Sequence, residues 1–341
     1  KGALDSLEFI ETTDGVKLVV SNESDGHITA YNLDASGMIG GMTRVTGAEY
    51  GTSGVLDINQ SSGDDLVFVS MGDCDSIMCY ALGADNSLTA YMTVTDTDAT
   101  YAADVFAMET LSVNGTDFII GASQTEQGIS AFQIDETGLT ATGNMGIDEG
   151  LGIMTPTDMQ VVEMDGRSFV VVASAPGDGI GLSAAITVLE LTEDGSLVPT
   201  DHVIDTMHTR FGNVQSLEVI ETDGRTYVVA GGGDDGLTLF VMLPNGRLQV
   251  LDVLEDTANA GLENISSIAA YHQGDTLQLF VSSEISPGVT EVQLDTSAQG
   301  STIVSRSTGG RETGTALNDI LVGGIGDDEL VAGAGDDILE D

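Results

Sequence analysis

The sequence predicts an all-β protein, in which a β-propeller of four-stranded blades is followed by the start of a parallel β-roll. Three observations lead to this prediction. Six related segments follow one another roughly 50 residues apart, a length typical of propeller blades. Within each segment, short apolar runs are separated by tight-turn dipeptides, and no stretch keeps a helical period. From residue 314 onward, glycine and aspartate recur at a nine-residue interval.

Each of the six segments contains four apolar runs. Residues 217–220 form a first run, and residues 169–173 form a dense apolar second run. The third run alternates apolar with polar residues, as at 237–240, and the fourth follows a turn such as Asp194-Gly195. Asp-Gly and Asn-Gly pairs supply the positive φ angles that tight hairpins require. The segments begin near Leu4, Gly54, Ala102, Pro156, Val214 and Ile265, and the turn pairs begin at Asp14, Asp25, Asn114, Asp165, Asp178, Asp194, Asp223, Asp235 and Asn245.

The blade pattern is clearest in the fourth segment, where the dense run precedes an Asp-Gly turn, the Ile-Thr-Val-Leu-Glu-Leu strand at 186–191 and an Asp-Gly-Ser-Leu turn. Over residues 4–307 this pattern resembles the lactonase-like propellers, the relatives of phosphogluconolactonase. The resemblance implies a propeller domain at residues 1–308. Six blades are visible, and seven, the usual number in those relatives, are possible. It specifies a fold better than an activity, since the segments leading into the first strands lack the Pro-His pattern of those enzymes.

Three nine-residue units follow the predicted propeller, beginning at Gly314, Gly323 and Ala332. Their glycines permit a tight turn whose carbonyl groups face inward. One aspartate in each unit would place stacked carboxylates beside those carbonyls. The leucines that recur in step are expected to fill the interior of the roll, and they are Leu321, Leu330 and Leu339.

Hard oxygen ligands in flexible number suit Ca²⁺ better than Mg²⁺ or zinc. The middle unit fits the pattern Gly-Gly-x-Gly-x-Asp-x-apolar-x, and the tail resembles the RTX, or hemolysin-type, calcium-binding repeats. We therefore expect a calcium-binding roll at residues 309–341. Thr315, Leu317 and Ala332 depart from the pattern, because they stand where it has glycine. The predicted calcium ligands are Asp319, Gly324, Gly326, Asp328, Gly333, Gly335 and Asp337.

The resemblance to RTX proteins also implies a location. Such repeats are typical of proteins that Gram-negative bacteria export directly to the outside through a type I secretion channel, using an uncleaved signal at the far C-terminus. Since the chain stops at Asp341 in mid-repeat, we expect the natural protein to continue and to carry that signal. The start at Lys1 has no hydrophobic signal region, in agreement with this expectation. Cytosolic calcium is too scarce to order such a roll, so folding is expected only after export.

The charge of the chain excludes several classes of partner. It has 55 acidic and 9 basic residues, for a formal net charge of −46. Nine cations cannot neutralise a phosphate backbone, so nucleic acid is excluded, and an anionic membrane surface would repel the protein. No window reaches the ~18 consecutive apolar residues of a membrane-spanning helix. With 41% hydrophobic residues, the chain can still bury a sizeable core, and its acidic surface calls for salt or divalent cations as a screen.

A second candidate cation site lies in the predicted propeller. First strands surround the central channel of a propeller, and aligning the segments places Asp57, Asp104 and Asp158 at the start of three of them. These carboxylates could hold a cation at the channel mouth, with Ca²⁺ as the expected ion. The alternative is that they begin strands and hydrogen-bond neighbouring backbone amides. The equivalent residues of the other segments are Ser6, Ser216 and Ser267.

The loops that lead into these strands contain the most varied side chains of the chain. His208 and Arg210 are the candidate catalytic residues, because together they can polarise a carbonyl group or bind a carboxylate. The alternative is that both are ordinary surface-loop residues. Neither a Gly-x-Ser-x-Gly elbow nor a His-Glu-x-x-His motif occurs. The other members of this loop group are Glu49, Tyr50, Tyr101, Phe211 and Glu263.

The two cysteines, Cys74 and Cys79, flank a predicted hairpin turn. A cross-strand disulfide between them and a pair of reduced side chains both fit this position. The four histidines show no ligand spacing for zinc.

Whether the protein is an enzyme is left open, and the favoured interpretation is that it is not one. In this interpretation the protein is a secreted calcium-binding propeller that acts as a cell-surface, adhesion or self-assembly module. Its expected partners are calcium, copies of itself and cell-surface components. The alternative function is a secreted lactonase- or esterase-like hydrolase that uses the channel mouth.

Overall fold

The structure is a computed structural model, and it describes residues 4–12, 15–22, 27–33, 38–44, 55–60, 66–71, 75–83, 87–135, 138–176, 183–222, 224–257 and 260–340. Every regular element in these residues is a β-strand, which confirms the predicted all-β class. The chain forms two compact units. One contains Lys1–Val161 and Leu191–Val198, and the other contains Val162–Glu190 and Pro199–Asp341.

Within the described ranges, five antiparallel sheets have four strands each, and neighbouring strands in each sheet are consecutive in the chain. The first two contain β1 (Leu4–Thr12), β2 (Gly15–Asn22), β3 (His27–Leu33) and β4 (Ile39–Arg44), then β5 (Val55–Gln60), β6 (Leu66–Met71), β7 (Ser76–Leu82) and β8 (Leu88–Thr95). The next two contain β9 (Val105–Val113), β10 (Thr116–Ser123), β11 (Gly128–Asp135) and β12 (Gly138–Gly146), then β13 (Thr155–Met164), β14 (Arg167–Ala175), β15 (Ala185–Leu191) and β16 (Leu197–Ile204). The fifth contains β17 (Val214–Thr222), β18 (Arg225–Gly232), β19 (Gly236–Met242) and β20 (Leu248–Glu255).

Tight turns join consecutive strands at the predicted dipeptides. Between β9 and β10, Asn114 and Gly115 have φ angles of 50° and 81°. Between β13 and β14, Asp165 and Gly166 have φ angles of 53° and 73°. Two successive left-handed residues are the mark of the hairpin turn whose twist matches that of the flanking strands. The sequence therefore specifies these hairpins locally.

The dense apolar runs form the inner strands of the sheets. Every residue of β18 is buried, and Phe169 of β14 and Phe240 of β19 are fully buried. A continuous apolar run is what a strand covered on both faces requires. Outer strands such as β20 and β23 (Val289–Asp295) alternate between exposed and partly buried positions instead. The outer strands thus leave room for polar side chains on their exposed positions.

The sixth sheet differs from the other five. It has three strands, β21 (Ile265–Gln273), β22 (Thr276–Ser283) and β23. The next strand, β24 (Gln299–Val304), pairs in parallel with a strand of the C-terminal tail. A segment that lies before the predicted domain boundary at residue 308 therefore takes part in the parallel sheet that follows the boundary.

The C-terminal tail forms two parallel sheets, as predicted for a β-roll. One has the order β24, β26 (Asn318–Val322), β28 (Ile338–Glu340), and the other pairs β25 (Gly310–Thr313) with β27 (Asp328–Val331). Thr302 pairs with Ile320, and Ile320 pairs with Ile338. Paired residues of neighbouring strands are two nine-residue units apart in the chain, so successive units alternate between the two sheets.

The described part of the chain contains no helix with the length and apolar character that a membrane span requires.

Candidate metal centre

The aspartates of the nine-residue units lie at equivalent points of the roll, where the turn ends and the strand begins. Asp319 and Asp337 belong to units that contribute strands to one sheet, and Asp328 belongs to the unit between them. The carboxylate of Asp337 accepts a hydrogen bond from the backbone N–H of Asp319 at 2.8 Å. One turn of the roll is thereby tied to the next turn on the same side.

Asp328 offers an incompletely satisfied carboxylate. Its Oδ2 accepts a hydrogen bond from the N–H of Gly324 at 2.8 Å. Its Oδ1 is buried and has no hydrogen-bond partner in the part of the chain that the structure describes. A buried carboxylate oxygen without a partner is costly unless a proton donor or a cation satisfies it. This orphaned atom fits the Ca²⁺ that the sequence predicts for the roll.

Backbone carbonyl groups lie close to the same turn. A Cβ atom on Gly324 would lie 3.1 Å from the carbonyl oxygen of Arg306 and 3.4 Å from that of Ser305. Carboxylate and carbonyl oxygens together are the ligand type that Ca²⁺ prefers. Asp328 and these carbonyls are therefore the residues that would hold the ion, whose charge would offset the carboxylates of the roll.

Glycine is required at this roll by close approach of backbone atoms. A Cβ on Gly335, whose φ is 133°, would lie 2.4 Å from the carbonyl oxygen of Leu317. A Cβ on Gly326 would lie 2.2 Å from the backbone nitrogen of Gly309. Both distances are too short for any side chain, so glycine is required at these two positions. Their role as calcium ligands stays a prediction.

Asp319 differs from Asp328, although both stand at the same point of their units. It is 1% exposed, and its carboxylate accepts hydrogen bonds from the N–H of Ser301 at 2.6 Å and the N–H of Thr315 at 2.5 Å. The hydroxyl of Thr315 lies 3.0 Å and 3.1 Å from the two carboxylate oxygens. Burial by itself raises the pKa of Asp319, but these hydrogen bonds and the nearby charge of Arg225 outweigh burial and lower the pKa.

The predicted leucine interior is present in part. Leu321 is fully buried, Leu330 is partly buried, and Leu339 is 48% exposed. Ile320 and Val322 pack with residues of the fifth and sixth sheets in one apolar cluster. The first strand of the three units is thus the most deeply buried.

At the candidate cation site of the channel mouth, the described residues do not form a cluster of metal-ligating side chains. Among their side chains, no group of three or more His, Cys, Asp and Glu is placed to hold a metal ion. Asp158 accepts a hydrogen bond from the N–H of Met159 at 2.9 Å, and Asp104 has a φ of 46°. The hydroxyl of Ser216 accepts the N–H of Ile268 at 3.0 Å, as the structural alternative expects.

The side chains of Ser6 and Asp57 lie outside the described set, as do residues Glu49, Tyr50 and Cys74. A cation at Asp57, Asp104 and Asp158 accordingly stays a prediction.

The loop before β17 holds His208 and Arg210 in different environments. Arg210 forms an ion pair with Glu255 and donates a hydrogen bond from its guanidinium to the Thr209 carbonyl at 3.1 Å. His208 is exposed, and its backbone N–H donates to the Thr206 hydroxyl at 3.2 Å. A catalytic role for the two residues stays a prediction.

A repeated corner motif in these loops was missed in the sequence. Asp205 accepts hydrogen bonds from the Thr209 hydroxyl at 2.8 Å and the Phe211 N–H at 3.3 Å. Asp96 accepts the Thr100 hydroxyl at 2.8 Å and the Ala102 N–H at 3.0 Å in the same way. In the sequence this motif reads Asp-Thr-x-x-Thr, and it precedes two of the first strands. Each carboxylate closes a turn and directs the following apolar side chain into the core.

Two carboxylates meet at the corner that contains Asp205. A Cβ on Gly212 would lie 3.1 Å from Cγ of Asp234 and 3.2 Å from Oδ2 of Asp205. Burial, followed by the charge of Asp205, raises the pKa of Asp234 to about 6. Oδ1 of Asp234 is buried without a hydrogen-bond partner. This pair is a point of electrostatic strain in the fold.

The remaining predicted site residues have structural surroundings. Tyr101 is buried and donates a hydrogen bond to Glu149 at 2.6 Å, and burial, followed by that bond, raises its pKa. Glu263 accepts the hydroxyl of Ser283 through its backbone carbonyl. Cys79 is buried and has no disulfide partner among the described residues, and burial raises the pKa of its thiol to about 12. The disulfide between Cys74 and Cys79 stays a prediction.

Comparisons with known proteins agree with the geometry. Residues 313–340 match the family described as RTX calcium-binding nonapeptide repeat (4 copies). No curated protein sequence matches the chain. Similar solved structures include a protein from Lactobacillus plantarum, with a TM-score of 0.55, 15% identity and coverage of 86% of this chain and 84% of that one.

Two further solved structures are similar over most of their length. A putative 6-phosphogluconolactonase from Bacteroides uniformis has a TM-score of 0.54 and 14% identity, over 85% of each chain. Hydrazine synthase from Kuenenia stuttgartiensis has a TM-score of 0.54 and 13% identity, over 85% of this chain and 83% of that one. At these identities the likeness concerns the fold. The chain therefore has a β-propeller fold like those of these structures, and residues 313–340 are RTX calcium-binding nonapeptide repeats.

Proposed function

We propose that this protein is a secreted, calcium-dependent propeller that serves as a cell-surface, adhesion or self-assembly module. One observation carries the proposal, namely that calcium-binding repeats lie on a chain with a net charge of −46. Such a chain repels its own copies, and Ca²⁺ both neutralises carboxylates and can bridge them.

Several basic residues are engaged within the chain. Arg167 pairs with Glu190, Arg210 pairs with Glu255, and Arg247 pairs with Glu340. With 9 basic residues against 55 acidic ones, the chain has few cations that could attract a second acidic copy. At physiological ionic strength, charges farther apart than about 8 Å are screened, but carboxylates brought into contact still repel. A divalent ion between them removes that barrier.

The same repeats support export before folding. In the cytosol, the stacked carboxylates of the roll repel one another, and calcium is too scarce to bind them. The chain is then held open for a type I secretion channel of a Gram-negative cell. Outside, calcium orders the roll, and the acidic propeller surface becomes available to other copies or to cell-surface components.

Light scattering with defined ions tests the proposal. The expected result is an increase in particle mass at roughly 1 mM Ca²⁺, the range of extracellular calcium modules. Chelator should reverse the increase. Mg²⁺ at the same concentration and NaCl at the same ionic strength are the matched controls, and neither should reproduce it. A particle mass that stays constant through the calcium titration would reject self-assembly.

A further inference from the structure

We propose that the first unit of the roll, residues 314–322, is a calcium-free starting turn that protein groups hold against the fifth sheet, and that calcium binding begins at Asp328. The inference rests on the proposed calcium binding of the later units. It revises the sequence prediction at one residue, since Asp319 becomes a structural carboxylate and not a calcium ligand.

The carboxylate of Asp319 faces three hydrogen-bond donors of the protein. Ser301 and Thr315 each give it a backbone N–H, at 2.6 Å and 2.5 Å, and Thr315 adds its hydroxyl. A carboxylate that accepts several hydrogen bonds is stabilised in its charged form without a metal ion. An ion at this point would have to displace these donors.

The departure of Thr315 from the glycine pattern now has a physical explanation. The third contact to Asp319 comes from the Thr315 hydroxyl, which glycine lacks. Gly300 makes the complementary adaptation, because a Cβ there would lie 2.4 Å from Oδ1 of Asp319. Both positions therefore fit a turn closed by the protein itself.

A resident positive charge takes the place of the ion. Arg225, at the start of β18, is 9% exposed, and its guanidinium donates to the backbone carbonyl of Asn318. A guanidinium is always charged in proteins, so this positive charge lies beside the turn with or without calcium.

Strand β24, which pairs with β26 of the starting turn, is attached to the same sheet by two further hydrogen bonds. The Thr302 hydroxyl donates to the carbonyl of Gly224 at 2.9 Å, and the Tyr227 hydroxyl donates to Gln299 at 3.2 Å. Ile320 of the starting turn is 1% exposed and packs in the apolar cluster that includes Leu239. The starting turn thus has a buried apolar residue, the guanidinium contact of Arg225 and a paired strand, none of which involves calcium.

The contrast with Asp328 completes the inference. Asp328 has one N–H donor on Oδ2, and its buried Oδ1 lacks a partner. The first unit therefore offers an ordered template on which the calcium-dependent units assemble. The conformational entropy of closing the first turn is therefore lost when the propeller folds, before calcium orders the later units.

Amide hydrogen exchange of the full chain in chelator and in Ca²⁺ tests this division. The N–H groups of Ser301, Thr315 and Asp319 should be protected in both conditions, whereas that of Gly324 should gain protection only with Ca²⁺. Exposure of Thr315 and Asp319 in chelator would overturn the proposal. So would protection of Gly324 that is equal in both conditions while the chain binds Ca²⁺.

Matched variants separate the two aspartates. Asp328→Asn should weaken calcium binding about tenfold or more and leave the melting temperature in chelator unchanged. Asp319→Asn should lower the melting temperature equally with and without Ca²⁺. If Asp319→Asn instead removes the calcium-induced shift, it is a ligand and the proposal fails.

Thr315→Gly restores the repeat pattern and serves if Asp319→Asn does not fold. It should lower the melting temperature in chelator without increasing calcium affinity, and a tighter calcium site would contradict the proposal. If the wild-type chain binds no Ca²⁺ at all, the proposed function fails. In that case, protection of the N–H groups of the starting turn in chelator still tests separately whether this unit is ordered without calcium.

Discussion

Removing the charge of Asp234 should stabilise the protein in a pH-dependent way. The carboxylate is half-buried beside Asp205, and its pKa is raised from 3.8 to about 6. Because the unfolded chain releases this proton more readily than the folded one, the cost to folding appears as the pH rises above 3.8 and is complete above about 6. Asp234→Asn keeps an oxygen for the Gly212 N–H and removes the cost.

The size of the effect follows from the shift. The difference between these two pKa values corresponds to about 3 kcal/mol of unfolding free energy for a fully buried carboxylate. Since the side chain is only partly buried, solvent screening reduces the expected gain to about 1–2 kcal/mol at pH 7.5. At pH 5 the gain should be roughly half as large, because the folded carboxyl is then mostly protonated.

Urea denaturation at the two pH values measures this gain. Asp98→Asn is the matched control, because Asp98 is exposed and the substitution changes the net charge of the chain by the same amount. Its effect should be small and nearly independent of pH. The reasoning is refuted if Asp234→Asn stabilises no more than Asp98→Asn, or if its gain is the same at pH 5 and pH 7.5.

Two other predictions concern the roll and the second sheet. Gly335→Ala should cost about 1–3 kcal/mol in thermal melts, since its Cβ would meet the Leu317 carbonyl. Gly274→Ala, at a φ of 62° with open space around it, should cost less, and an equal loss would contradict the steric explanation. In a Cys74→Ser variant, Cys79 should react with a thiol reagent at pH 8 only as fast as the protein unfolds, because the thiol is buried and its pKa is about 12. Rapid labelling of the native protein would show that the site is open.

The local signals of the sequence predicted most of the fold. Glycine-containing turn pairs fix the hairpins at Asn114 and Asp165, and dense apolar runs such as that of β14 fix the inner strands. Both signals act within a few residues, so a single sequence is enough to read them. The nine-residue period likewise predicted the parallel pairing of β26 with β28.

Features that depend on long-range packing were beyond the sequence. The pairing of β24 with β26 joins a segment without the glycine pattern to the roll. Arg225 lies far from Asn318 in the chain, and only the fold brings the two together. Asp319 and Asp328 are equivalent in the repeat, but their surroundings give them different hydrogen bonds.

The corner motif is an intermediate case. Its Asp-Thr-x-x-Thr pattern is short and common in composition, so one copy carries little information. The two copies at Asp96 and Asp205 become informative only when the segments are aligned. The carboxylates closing these turns also show why many acidic residues of this chain are not metal ligands.

The proposed function requires that calcium binding drives the association of copies of this chain. Bound calcium and particle mass measured in the same samples, through a calcium titration of the full chain, test that coupling. The uptake of Ca²⁺ should be saturable and the particle mass should rise with it, with both shifted to higher calcium in Asp328→Asn. Calcium uptake without any change in mass, or a mass increase without calcium uptake, would contradict the proposed function.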